Sequence, residues 1–442
     1  RDAPDRLAVL LPDRRALTYA GLHGLVSARA EALTLRAGER VALVAEPTLE
    51  GVVDALAVLE QDGSLVLLHP RWTPPERAHA LERTRPALVL DEQGPRRLPS
   101  SSEPASELVI VFTSGTRGTP QGVRLGRAQL EAACEAHARA LPWLEHDRWL
   151  LAMPLAHVGG LAIVLRCLWA RRALALGPAR PSPEALCGAV ETAQATLLSM
   201  VPTTLHRLLE RAVRPPPTLR AVLLGGAATP ESLLAEGRTA GWPLLPTYGL
   251  TECTAQVCTQ RLGDERPSGV GPSLPSVEVR VTGEDIEVRG PTRMLGLLGE
   301  PDLPPETWYR TGDLGFLDAE GHLHVRGRRA DRIVTGGENV DPVEVEACLL
   351  RHPAVRGAAI VGLPSAEWGE EVAAVLVLGA PVARAELSAM LLALASFKRP
   401  RRLAVARELA PPGSKVSRTA LRTLRFAPWD DLPDDLSPVL AD

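Results

Sequence analysis

Residues Val111 to Val123 read VFTSGTRGTPQGV. With Val109 and Ile110 in front of them, they open as an apolar, β-branched run that predicts a buried strand. That strand empties into a loop of Thr, Ser, Gly and Pro. Hydroxyls at Thr113, Ser114, Thr116 and Thr119 lie among glycines at Gly115, Gly118 and Gly122. Glycine lets the backbone turn so that several N–H groups converge on one anion, and the hydroxyls add donors. A strand delivering such a loop suits a bound polyphosphate. A solvent-facing Ser/Gly/Thr loop has the same composition, so this stretch alone leaves both readings open. It is not a Walker A loop, because no G-x-x-x-x-G-K-[ST] string occurs in the chain.

On the N-terminal side of this loop, helical and strand-like patterns alternate. Apolar residues recur at helical spacing over 19–35, at 48–60 behind a Thr48 N-cap, and at 74–84 behind a Pro-Pro start. Between them, 40–45 and 64–68 are short apolar runs of strand character. Further strands are predicted at 195–201, 221–224 and 244–247. Alternation of this kind predicts mainly parallel sheets flanked by helices. At SVEVRVTGEDIEVRG (276–290) the period becomes two, which suits antiparallel strands around a Gly turn. From Val334 onward the pattern resets to a small α+β unit, with helices at 342–351 and 384–395 and strands at 355–361 and 372–378. The fold class expected is therefore α/β: a large N-terminal domain of mainly parallel sheets with a β-rich subdomain, and a small mobile α+β C-terminal domain. Its acidic, Pro-broken end, WDDLPDDLSPVLAD (429–442), is expected to be a mobile tail.

A chain of 442 residues exceeds one ordinary core. Its 45% hydrophobic and 23% charged content is that of a globular protein. A formal charge of −4, with no aromatic-basic stripe, argues against a nucleic-acid partner. The six cysteines (Cys134, Cys167, Cys187, Cys253, Cys258, Cys348) lack metal-ligand spacing and point to a reducing, cytoplasmic setting. The N-terminal stretch is charged and has no signal-peptide core. WLLAMPLAHVGGLAIVL (149–165) is apolar, but Pro154, His157 and Gly159-Gly160 interrupt it; a buried strand-turn-helix is expected rather than a membrane span. Nothing in the sequence sets the oligomeric state, and a homo-oligomer stays open.

Five further strings follow the loop in order: LLGGAATP (223–230), TYGLTECT (247–254), WYRTGDLGF (308–316), RGRRADRIVTGGENVDPVEVE (326–346) and PGSKVSRTAL (412–421). Together with VFTSGTRGTPQGV they resemble the motif series of the acyl-adenylate-forming enzymes, spread over about three hundred residues. That resemblance implies an ATP-dependent acid–CoA ligase using ATP, Mg²⁺ and CoA, with residues 1–328 binding ATP and acid, 329–427 forming the mobile domain, and 428–442 a tail. It implies phosphate contacts from Thr113, Ser114, Gly115, Thr116 and Gly118. Tyr248 would stack on adenine, with Gly225, Gly226, Ala227 and Gly249 supplying close backbone. Thr251 would contact the α-phosphate and Glu252 would ligate magnesium. Asp313 and Arg328 would hold the ribose. Gly336 and Gly337 would border the CoA path, and 329–331 would be the hinge.

Lys415 is the expected catalytic cation. Among 49 basic residues only Lys398 and Lys415 are lysine, and a flexible ammonium can neutralise charge as it builds. The loop departs from the family pattern twice: Arg117 stands where Thr is usual and Gln121 where Lys is usual. Arg117 or Arg124 is expected to supply the missing charge. Within the superfamily, MPLAHVGGLAIVLRCLW (153–169), SMVPTTLHRLL (199–209) and YGLTECTAQVCT (248–259) resemble the o-succinylbenzoate–CoA ligases of menaquinone biosynthesis. His157, Ser199 and Thr203 are then the candidate acid-binding residues. Another aryl- or acyl-CoA ligase, or a family member that binds without turnover, remains open at this stage.

Overall fold

The computed structural model describes residues 3–99, 105–113, 121–178, 181–264, 266, 268–410 and 416–439. Among them, an eight-stranded sheet runs in the order 258–259, 244–248, 221–224, 197–200, 148–151, 173–176, 7–10, 16–18. Its central strands are parallel and its two outermost pairings antiparallel. A seven-stranded sheet runs 296–297, 121–125, 109–113, 64–68, 40–44, 88–91, 94–97, again parallel at its centre. These central strands are short apolar runs such as Ser64–Leu68 (SLVLL), buried along their whole length, as strands covered on both faces must be.

The two sheets share one core. Val41, Leu65 and Val109 from one, and Trp149, Leu174 and Leu197 from the other, join side chains of the helices Tyr19–Leu33, Leu49–Glu60, Arg127–Ala140 and Val158–Ala170. The helix starts follow capping chemistry: Thr18 and Thr48 accept from the N–H groups of Gly21 and Gly51, satisfying donors that an uncapped first turn leaves open. The stretch 149–165 is the expected strand, turn and helix, and no helix among the described residues is long and apolar enough to cross a membrane.

A four-stranded antiparallel sheet, 278–282, 285–289, 309–317 and 323–328, follows. The chain then passes one tight turn at Arg329–Asp331, none of whose residues is buried, into a six-stranded sheet that has its own core around Ile333, Ile360, Leu376 and Leu403. The end of the chain differs from the loose tail expected. Ala427–Pro428 pairs with Arg402–Val405, Asp435–Leu436 pairs with Val382–Ala383, and Trp429 and Leu436 are buried in the small core. Two apolar side chains at the right spacing outweigh the acidic composition around them.

Candidate active site

Parallel α/β sheets present ligands at the carboxyl ends of their strands, above all where the strand order reverses. In the eight-stranded sheet, 148–151 is followed in the chain by 173–176 on one side and then by 197–200 on the other. The reversal therefore lies between 148–151 and 197–200. His157 follows the first of these strands. Ser199 is the penultimate residue of the second, with Thr203 in the helix after it. Ser199 is half-buried, whereas His157 and Thr203 are exposed. Next along the same edge come Gly225–Ala227 and then Tyr248–Glu252.

The local backbone explains two glycines. A Cβ on Gly225 would lie 2.7 Å from Thr247 Cγ2 and 2.8 Å from its carbonyl oxygen; only glycine lets these two strand ends approach. A Cβ on Gly249 would collide with the Ala255 carbonyl. The chain reverses tightly there: Val257 N–H donates to Tyr248 O at 2.8 Å, and Thr254 and Ala255 adopt φ of 52° and 80°. The turn holding Thr251 and Glu252 is pinned from outside by Met294 N–H, which donates to Glu252 O at 2.7 Å.

Three residues expected to bind nucleotide meet directly. Asp313 and Arg328 are opposite one another on adjacent antiparallel strands, and Arg328 Nε donates to Asp313 Oδ1 at 3.0 Å. Tyr248 Oη, arriving from the parallel sheet, donates to Asp313 Oδ2 at 2.6 Å. The N–H of Asp313 is taken by Thr311 Oγ1 at 3.1 Å. Burial, reinforced by the Asp313 carboxylate, pushes the Tyr248 phenol well above its ordinary range. Burial opposes the charge on Arg328, but Asp313 and then Glu252 outweigh it and raise the guanidinium pKa. Burial also raises Tyr309, with Glu252 contributing next. Glu252 therefore lies within electrostatic reach of the Asp313–Arg328 pair. The Tyr248 ring sits in an apolar cluster with Cys253, Val257 and Ile286, so it is a core residue and a polar anchor together.

Where the loop expected to hold phosphate begins, Thr113 ends its strand in register with Gln121 on the next, and Gln121 is exposed. Ser114, Gly115, Thr116, Arg117, Gly118 and Lys415 lie outside the described residues. Arg124 cannot supply the loop's missing charge. Its side chain is buried against the carbonyls of Leu297 and Glu300, at 3.2 and 2.9 Å, and pairs with Asp302 at 2.7 Å. The other lysine, Lys398, is engaged by both carboxylate oxygens of Glu344 at 2.7 Å.

Gly336 and Gly337 form the two-residue turn between strands 333–335 and 338–340, with φ of 56° and 84°. That is the sign pattern of the twisted hairpin turn that glycine favours. A Cβ on Gly336 would also press on the Trp368 ring at 2.9 Å. Ion pairs surround the turn at 329–331: Arg329 with Asp285 at 2.8 Å, Asp331 with Arg418 at 2.9 Å, and Arg332 with Glu284 at 2.8 Å and Asp341 at 2.7 Å.

Among the described residues no group of three or more His, Cys, Asp or Glu could hold a metal. One carboxylate beside a hydroxyl, Glu252 with Thr251, instead fits a hard cation that brings phosphate and water oxygens with it. Sequence reasoning missed His69. It directly follows strand 64–68 of the other sheet, and its ring centroid lies 5.1 Å from that of His157. The available signal was a histidine at the carboxyl end of a buried parallel strand.

The chain belongs to the AMP-binding enzyme family: that family matches residues 1–100 and 91–298, and the AMP-binding enzyme C-terminal domain matches 344–411. It is 32% identical, over 90% of its length and 92% of the relative's, to the 2-succinylbenzoate–CoA ligase of Bacillus licheniformis. The o-succinylbenzoate CoA synthetase of Bacillus subtilis in complex with the acyl-adenylate intermediate superposes with a TM-score of 0.86 at 30% identity, covering 96% of each chain. The same enzyme in complex with ATP and magnesium ion gives 0.84 at 29%, covering 95% of this chain and 97% of that one.

Proposed function

We propose that the chain is an ATP-dependent acid–CoA ligase whose acid is o-succinylbenzoate. The observation that carries the nucleotide half is the Tyr248–Asp313–Arg328 network beside Glu252. It joins a carboxylate and a guanidinium, groups suited to ribose hydroxyls, in a chain of the AMP-binding enzyme family. The likeness to 2-succinylbenzoate–CoA ligases supports the choice of acid.

The chemistry needs no general base in its first step, because a carboxylic acid is already ionised near neutral pH. One carboxylate oxygen attacks the α-phosphorus of ATP; the new P–O bond forms as pyrophosphate leaves. A CoA thiol sulfur then attacks the acyl carbon, loses its proton, and AMP departs. The barrier in the first step is bringing an anion to a polyanion, so positioning and charge neutralisation are what the protein must supply. In this reading Asp313 and Arg328 hold the ribose, and Gly225–Ala227, Tyr248 and Gly249 border the adenine. Thr113, Ser114, Gly115, Thr116 and Gly118 hold the phosphates, and Thr251 meets the α-phosphate. Glu252 would hold the magnesium that accompanies ATP, which would supply charge neutralisation to the polyphosphate. Lys415 brings the cation to the reacting phosphorus, while His157, Ser199 and Thr203 face the acid.

We assign residues 1–328 to the domain that binds ATP and acid, and the chain after the 329–331 hinge to a mobile domain that presents Gly336-Gly337 to CoA. The six buried cysteines, none in a disulfide, fit a cytoplasmic setting. The test is steady-state turnover of the purified chain with ATP, CoA and a panel of acids. Turnover of o-succinylbenzoate well above benzoate and fatty acids is expected. Activity on those acids with none on o-succinylbenzoate would sink the substrate assignment and leave the ligase class standing.

A further inference from the structure

The acid side of the site holds one residue to which neither the motifs nor the proposed mechanism gives a role. His69 follows strand Ser64–Leu68 and precedes Pro70, so its backbone is confined to extended conformations. The turn it begins is fixed at several points. Trp72 N–H donates to His69 O at 3.0 Å, Arg77 Nη2 donates to Pro70 O at 2.9 Å, and the Trp72 ring packs edge-on against Phe112 at 5.5 Å. Phe112 directly precedes Thr113 at the mouth of the phosphate loop. His69 is therefore held in a turn fixed by these contacts.

Its protonation pattern follows from one contact. The N–H of Arg71 donates to His69 Nδ1 at 3.1 Å. A backbone N–H is always the donor, so Nδ1 accepts and the proton of the neutral ring sits on Nε2. Nε2 is thus the donor nitrogen of the ring. The ring meets that of His157 at 5.1 Å with planes tilted by 52°. One imidazole comes from each sheet: His69 follows strand 64–68, and His157 follows strand 148–151, which borders the strand reversal.

We infer that His69 is a specificity-determining residue that, with His157, receives the second, non-reacting carboxylate of a dicarboxylic acid. The inference rests on the acid-ligase reading above. Two imidazoles are chemically suited to that role, since each donates to a carboxylate oxygen and each has a flat apolar face for an aryl ring. The reacting carboxylate needs no such receiver, since it must remain free to attack phosphorus.

The experiment measures ATP–pyrophosphate exchange by the full chain. Its substrates are o-succinylbenzoate and the two analogues that each lack one of its carboxylates, 4-oxo-4-phenylbutanoate and 2-butanoylbenzoate. His69→Ala is expected to raise KM for the diacid by roughly 10–100-fold, the size of one lost hydrogen bond to a charged group. KM for the analogue that is turned over should not move, nor should KM for ATP. His69→Gln, which keeps an N–H donor, should recover part of the loss. An unchanged diacid KM in His69→Ala overturns the proposal. So does an equal loss on diacid and analogue, which would mark His69 as structural. Wild-type chain that exchanges with none of the three acids removes the reading beneath and the proposal with it, whereas wild-type exchange with unaltered selectivity in the variant removes only the role of His69.

Discussion

The two halves of the site are built differently. On the side proposed to bind nucleotide, Tyr248, Asp313 and Arg328 hold one another through hydrogen bonds of 2.6 and 3.0 Å, with Asp313 and Tyr248 buried. On the side proposed to bind the acid, Ser199 lies in strand 197–200 while His157 and Thr203 stand at the starts of two helices, and the ring contact there is with His69, which follows a strand of another sheet. The first half is preorganised before any ligand arrives. The second is a surface whose chemistry depends on which side chains stand along it. A superfamily with one chemistry and many acids requires this division: the nucleotide is constant, so its binding groups can be locked together, while the acid varies. In the proposed mechanism Lys415, outside the described residues, brings its charge to the phosphorus between them.

That charge sets the largest expected effect. Lys415→Ala should slow acyl-adenylate formation by roughly 100–1000-fold, the range for removing a positioned charge from a developing transition state. Thioester formation from supplied acyl-adenylate should be nearly unaffected. Single-turnover pyrophosphate release against thioester formation separates the steps, and equal losses in both would remove Lys415 from its assigned role. Next is Gly249→Ala, which forces a methyl group against the Ala255 carbonyl. Overpacking against backbone costs roughly 3 kcal/mol, so Tm should fall by roughly 3–5 °C. An unshifted Tm would mean the turn relaxes freely.

Asp313→Asn tests the lock itself. It removes the charge that Arg328 pairs with and weakens the acceptor for Tyr248. KM for ATP should rise by roughly 10–100-fold, with KM for the acid unchanged. If both constants rise together, the halves are coupled and the contrast drawn between them fails.

Asp313, Arg328 and Gly249 were singled out by the motif resemblance, and local geometry accounts for where they stand: one antiparallel pairing sets Asp313 opposite Arg328, and Gly249 sits in a turn whose tightness only glycine allows. The helix caps at Thr18 and Thr48 likewise follow from neighbours three residues away. What was not legible depended on tertiary geometry. His69 meets His157 only because two sheets bring their strand ends together. Arg124 is close to the loop in sequence, yet its guanidinium is consumed by Asp302 and the carbonyls beside it. Residues 429–436 read as polar, but Trp429 and Leu436 decide their packing. Composition averages over a window, whereas burial is settled by individual side chains.

The smallest effect concerns Gln121. It stands in register with Thr113 at the open end of the strand pair and is exposed, so a lysine there would be solvated and screened. An exposed charge contributes roughly 0.2–1 kcal/mol, and Gln121→Lys should lower KM for ATP by no more than about 5-fold with kcat unchanged. Arg124→Met is its counterpart. It leaves Asp302 and two carbonyls without their donor, so it should lower Tm while KM for ATP stays put. A large gain in ATP affinity from Gln121→Lys would mean that charge at the loop, and not only backbone and hydroxyl donors, limits nucleotide binding; the nucleotide half would then be less complete in this chain than its buried lock implies.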